Sequence, residues 1–203
     1  MLTTSKTLKV VGGAALVAGA FTAFSRLRYR RSAAATLAEY TVLPTKALKS
    51  RIPVTDWIAR AAGRPEPRRA LSFPFWSRSH YDVERRDDEG MPVYYVRPYA
   101  PSDTVVVYLH GGGYVTTASL GQSLLIDNLA RRTGADFIVP LYPLAPHHTW
   151  QEAHRLVLDL CARALSDNPD KRVILMGDSA GGGLALVIAL SLAERGVRQP
   201  DEL

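Results

Sequence analysis

The stretch RVILMGDSAGGGLALVIALSLAERG, Arg172 to Gly196, joins two kinds of periodicity across one glycine-rich turn. Its first residues, RVILMG, form a short run rich in branched aliphatics, which is the pattern of a buried strand. After GDSAGG come about a dozen almost wholly apolar residues with a glycine at their end, the pattern of a helix buried from several sides. Between them sits G-x-S-x-G, Gly177 to Gly181. A serine on a sharp strand-to-helix turn raises its hydroxyl above the sheet, and small neighbours give it clearance. The amide following Ser179 opens the helix, where free N–H groups and the helix dipole favour a developing negative charge. A phosphate-binding loop fits less well. No lysine follows the glycines as a Walker loop requires, and GDSAGGG does not supply G-x-G-x-x-G.

Seventy residues upstream, VVVYLHGGGYV (Val105 to Val115) repeats the theme of a strand ending in glycines. Residues without side chains let the backbone approach a ligand closely. An acyl-transfer serine needs such an approach, because amide donors must lie about 2.7–3.1 Å from the oxyanion. The two motifs therefore read as parts of one site.

Further outward, MPVYYVRPYA (Met91–Ala100) and ADFIVPLYPL (Ala135–Leu144) are strand-like, and LLIDNLARRTG (Leu124–Gly134) has helical spacing with a terminal glycine. WQEAHRLVLDLCARALS places Trp150, Ala153, Leu156, Val157, Leu160, Cys161, Ala164 and Leu165 on one helical stripe. Alternating strands and helices predict an α/β domain over residues 91–203, its sheet mostly parallel with helices on both faces. Residues 32–90 read as helix-like pieces broken by prolines, a cap-like region packed on that domain.

HGGG and GDSAGG, in this order, resemble the hormone-sensitive-lipase-like branch of the α/β-hydrolases, and YPLAPHH (Tyr142–His148) is similar to that family's Y-R-L-A-P-E-H segment. Pro143 and His147 replace its arginine and glutamate. The resemblance covers about Met91 onward. It implies a serine hydrolase of small carboxylic esters, with Ser179 as nucleophile, the amides of Gly112, Gly113 and Ala180 as the oxyanion hole, and no metal or organic cofactor. His110 would be structural, and Asp178 would support the turn.

The family places an acid and then a histidine after the serine in chain order. Only 24 residues follow Ser179, and the five histidines, His80, His110, His147, His148 and His154, all precede it. The chain therefore reads as the N-terminal part of an α/β-hydrolase fold, truncated and inactive as it stands. A catalytically inactive binding or scaffold protein of the same fold is the alternative.

Residues 1–31 are of another texture. Lysines precede the apolar run Val10–Phe24, and Arg26, Arg28, Arg30 and Arg31 follow it. The run reads as a membrane anchor over residues 8–24, with a cleaved secretory signal as the alternative; orientation is left open. The net charge of +6 is carried by the first 90 residues, which hold 16 Lys and Arg against 8 Asp and Glu. No reading helix or aromatic platform accompanies that excess, so nucleic acid is not an expected partner. The single cysteine, Cys161, excludes an internal disulfide framework.

Overall fold

The computed structural model describes residues 18–28, 30, 32–33, 63, 70–74, 77 and 79–203. The chain divides into two compact units, Met1–Trp57 and Ile58–Leu203. Of the first, residues 18–28 are helical. Among the described residues no helix is long and apolar enough to cross a membrane, so the expected anchor over residues 8–24 gains no support there. Residues 8–17 of that run lie outside the described residues, as does most of the cap-like region expected over 32–90.

The second unit is built on a five-stranded sheet: β1 (Tyr81–Asp88), β2 (Met91–Pro98), β3 (Thr104–Leu109), β4 (Asp136–Pro140) and β5 (Arg172–Gly177), in the order β1-β2-β4-β3-β5. β2 pairs antiparallel with both its neighbours, while β3 pairs parallel with β4 and β5. Four strands thus run one way and β2 runs against them, in keeping with the expected mostly parallel sheet. β1 departs from expectation, since YDVERRDD lies within the stretch read as helical. Its charges belong to an edge strand, where Arg86 and Arg97 both pair with Glu84, and where charge deters pairing with another chain.

Three helices cover the sheet: α1 (Leu120–Thr133), α2 (Trp150–Ser166) and α3 (Ala180–Glu194). Alternate residues of β3 serve opposite faces. Val105, Val107 and Leu109 pack with α2 and α3, whereas Val106 and Tyr108 pack with Ile126 and Ala130 of α1. α1 starts on a capping box made by Ser119 and Gln122 and stops at Gly134 in the left-handed conformation, as its terminal glycine predicted. α2 buries the expected stripe from Ala153 to Leu165, Cys161 included, but Trp150 is 71% exposed. It is the helix's first residue, ahead of the stripe.

α3 buries Leu184, Ala185, Ile188 and Leu192 but exposes Leu186, Val187 and Leu190, so only one side of this apolar helix is covered. After α3 the chain returns to the sheet beside β5. Glu202 bridges in parallel to Ile174, Asp201 N–H donates to Val173 O at 2.8 Å, and the Asp201 carboxylate accepts from Val173 N–H at 2.7 Å.

Candidate active site

The register of β3 against β5 decides where the two motifs meet. Leu109 lies opposite Gly177, so the strands end side by side and both following loops leave the same edge of the sheet. From β5 the chain turns through Asp178 and Ser179 into α3. Ser179 is the N-cap of α3, with φ 50 and ψ −118 and no side-chain capping bond. A left-handed φ on a residue with a Cβ is a strained conformation that persists only where the surroundings impose it. Just beyond it α3 makes a close approach: a Cβ on Gly181 would overlap the carbonyl of Leu109 and stand 2.7 Å from that of His110. The helix thus starts pressed against the end of β3.

From β3 the chain enters His110–Tyr114. Gly112, Gly113 and Tyr114 all have positive φ. This accounts for two of the three glycines by conformation; the remaining one, Gly111, lies against Asp178, where any side chain would overlap the carboxylate. Among the described residues the amides of Gly112, Gly113 and Ala180 donate to no protein acceptor. Amides with no protein acceptor, in a glycine loop and at the start of a helix, can donate to a ligand's negative charge.

Asp178 holds the two loops together. Its carboxylate accepts from Gly111 N–H at 2.8 Å, Tyr108 O–H at 2.6 Å, and the Gln122 side-chain amide at 3.0 and 3.1 Å. Burial alone would raise its pKa, but the bonds from Tyr108, Gln122 and Gly111 outweigh it and hold the carboxyl below its usual range. Burial raises the pKa of Tyr108 further from neutrality, so the phenol remains a donor. Gln122 had not been singled out in the sequence, although S-x-x-Q at Ser119–Gln122 is a capping-box signature. Its side-chain oxygen accepts from Ser119 N–H, which leaves its NH₂ for Asp178.

His110 is fully buried, with its ring stacked on Tyr142 at 4.3 Å between centroids. Nδ1 is 2.9 Å from Gly111 O, a contact that requires the Nδ1–H tautomer, and burial lowers its pKa. The segment similar to Y-R-L-A-P-E-H braces the same loop. Tyr142 O–H donates to His110 O, and Ala145 N–H donates to Tyr114 O at 2.8 Å. Elsewhere, His148 contacts Glu152 and His154 contacts Ser191, each at 2.9 Å, while His147 and His80 are exposed. Ser179 Oγ has no hydrogen bond to a histidine among the described residues. No group of three or more metal-ligating side chains occurs among them either.

Known proteins resemble this chain in sequence and in fold. A family model described as the alpha/beta hydrolase fold matches residues 106–202. A Mycobacterium tuberculosis protein named as an acetyl-hydrolase, LipR, is 38% identical over 116 residues, which is 56% of this chain and 38% of that protein. Human hormone-sensitive lipase is 35% identical over 107 residues, 49% of this chain and 10% of the lipase. The crystal structure of an esterase from the bacterial hormone-sensitive lipase family superposes with a TM-score of 0.54 at 26% identity, covering 70% of this chain and 52% of the esterase. The chain therefore spans about half or less of the proteins it matches. In motif order and in their likeness to these relatives, residues 106–202 are similar to the α/β-hydrolase fold and, within it, to the hormone-sensitive-lipase-like branch.

Proposed function

We propose that this chain forms the nucleophile and oxyanion half of a serine hydrolase that cleaves small carboxylic esters. Ser179 Oγ attacks the ester carbonyl carbon, and the carbonyl π pair moves onto oxygen. The resulting oxyanion accepts hydrogen bonds from the amides of Gly112, Gly113 and Ala180. Collapse of the tetrahedral adduct expels the alcohol and leaves an acyl-enzyme, which water cleaves to the acid with return of the serine. The observation that carries this reading is the strained Ser179 at the start of α3, beside a glycine loop fixed to its neighbour Asp178.

Attack requires a base to take the hydroxyl proton, and none of the five histidines is set against Ser179. The 203 residues by themselves are therefore proposed to acylate slowly or not at all, since loss of a triad member costs several powers of ten in rate. The same observation favours a second reading, a binding protein of this fold without turnover.

A fluorophosphonate followed by intact-mass measurement on the full natural chain separates the two. One added phosphonyl group, absent in Ser179→Ala, supports the hydrolase. A folded protein that gains none overturns it in favour of the binding protein.

A further inference from the structure

A cleft of about 280 Å³ lies at the end of the sheet remote from Ser179, between the outer strands and the last turns of α2. Val105 and Asp136, which line it, stand at the starts of β3 and β4, whereas the glycine loop and Ser179 follow the ends of β3 and β5. We propose that this cleft binds a small phosphate monoester with a hydroxylated body. The assignment is independent of the hydrolase reading, because no residue of the serine site lines the cleft.

Charge at the outer strands favours an oxyanion. Arg86 of β1 and Arg97 of β2 lie over one ring, their guanidinium carbons 4.7 and 5.1 Å from the centroid of Tyr95. A single carboxylate serves both: Glu84 accepts from Arg86 Nε and Nη2 at 2.7 and 2.8 Å and from Arg97 Nη1 at 2.9 Å. Two cations held this close with one counter-charge repel each other, and an added oxyanion relieves that repulsion. Both arginines line the cleft and Glu84 does not, so the excess is offered to the cleft. Arg163 lines the facing wall, on α2. Among the described residues Arg97 donates only through Nη1 and Arg163 only through Nη2, the latter to Asp88. Each therefore keeps Nε and one terminal nitrogen for a ligand, and guanidinium donors suit the oxygens of a phosphate.

The other part of the lining fixes the ligand's body. The apolar residues there, Val105, Ile138 and Leu160 among them, are buried, so a ligand meets mainly polar atoms. Those atoms are acceptors. Lys171 occupies Asp136 Oδ2 at 2.9 Å and leaves Oδ1, while Asn168 spends its NH₂ on Ala164 O at 2.8 Å and leaves its side-chain oxygen. Asp167 bonds only through Oδ1, to Ser166 O–H. Acceptors without donors call for hydroxyl groups and would repel a second anionic group. A cavity of about 150 Å³ is enough for benzene, so this one admits a phosphate on a body of about three to six carbons.

The test is a titration of the natural chain, at constant ionic strength, with glycerol 3-phosphate, inorganic phosphate and glycerol, followed by NMR at the Nε–H signals of Arg97 and Arg163. Glycerol 3-phosphate is expected to shift both signals saturably and to bind at least about threefold more tightly than inorganic phosphate, with glycerol shifting neither. Arg97→Gln and Arg163→Gln should each weaken binding about fivefold, whereas Arg132→Gln, on α1, should leave it unchanged. Both cleft variants lose only half-exposed ion pairs, so an unaltered amide spectrum away from the cleft is expected. Shifts that do not saturate, or undiminished binding in both cleft variants, overturn the site. Inorganic phosphate binding as tightly as the ester overturns the hydroxylated body and with it the assignment to a monoester.

Discussion

The Asp178 carboxylate lies 2.8 Å from the Gly111 amide across 67 residues of chain, and this contact holds the glycine loop to the turn that carries Ser179. Three donors share the carboxylate, and bonds to a charged group contribute about 1.5–3 kcal/mol each when one partner is removed. Asp178→Ala is therefore expected to cost about 3 kcal/mol in urea denaturation, and Asp178→Asn about half as much. Amide exchange at Gly111 should speed up in both variants; unchanged exchange there would separate the carboxylate from the loop.

A second prediction concerns pH. Asp127 is a further buried carboxylate. Burial would raise its pKa, but bonds from Ser77, Tyr81 and Arg131 bring it below the usual value. Asp178 is lowered in the same way. For a carboxyl whose folded pKa lies below the unfolded value of about 3.9, the stabilisation is complete above that pH. It is lost as pH falls through the lower folded value. Unfolding free energy should thus decline below about pH 4, and the double variant Asp127→Asn, Asp178→Asn should flatten that acid limb while lowering the plateau.

Gly181 and Gly183 are two residues apart, yet they should respond differently to the same methyl. At Gly181 a Cβ meets the backbone carbonyls of Leu109 and His110, which cannot move without displacing β3. Gly181→Ala should cost about 3 kcal/mol or prevent folding. At Gly183 the nearest obstacle is the movable Tyr114 hydroxyl, so Gly183→Ala should change stability by under about 1 kcal/mol. Thermal melts of the pair provide the comparison.

Asp127 is 2% exposed and accepts from Ser77 O–H at 2.6 Å and Tyr81 O–H at 2.8 Å. It fastens β1 and the preceding segment to α1. Asp127→Ala leaves the buried Tyr81 hydroxyl unpaired, while Arg131, a third exposed, can turn to water. The expected loss is about 2–3 kcal/mol, and adding Tyr81→Phe should return about 1 kcal/mol of it. A double-mutant cycle by denaturant titration checks the coupling.

The exposed side of α3 should drive self-association. Leu186 and Leu190 are 57% and 66% exposed on adjoining turns. Leu190→Lys is expected to change stability by less than about 0.5 kcal/mol while reducing aggregation seen by light scattering. Equal aggregation in the variant would remove this face as its source.

The strands β3 to β5, the helices between them and both glycine motifs were legible in the sequence because each had a clean period and a chemical signature at its end. β1 was not. In YDVERRDD the inward Tyr81 and Val83 are separated by charges that only an edge strand carries, so the alternation is drowned by polarity. Trp150 fitted the helical stripe by spacing and still faces outward, since periodicity does not say where along a helix the covering begins. Asp127 occupied a core-facing position of α1, but its partners Ser77 and Tyr81 come from some fifty residues upstream. No local pattern announces such a bond. Asp178 was recognised as supporting the turn, yet its anchorage through Gln122 requires knowing that α1 begins beside β5.

The Ser179 main chain and its hydroxyl are under different control. The backbone is held at a φ of 50, which aims the Cα–Cβ bond, whereas no capping bond at the head of α3 restrains Oγ. The oxygen is consequently free to turn about χ1 on a fixed stem. A hydrogen-bonding partner that approaches Ser179 therefore has to select a rotamer as well as bring its own aim.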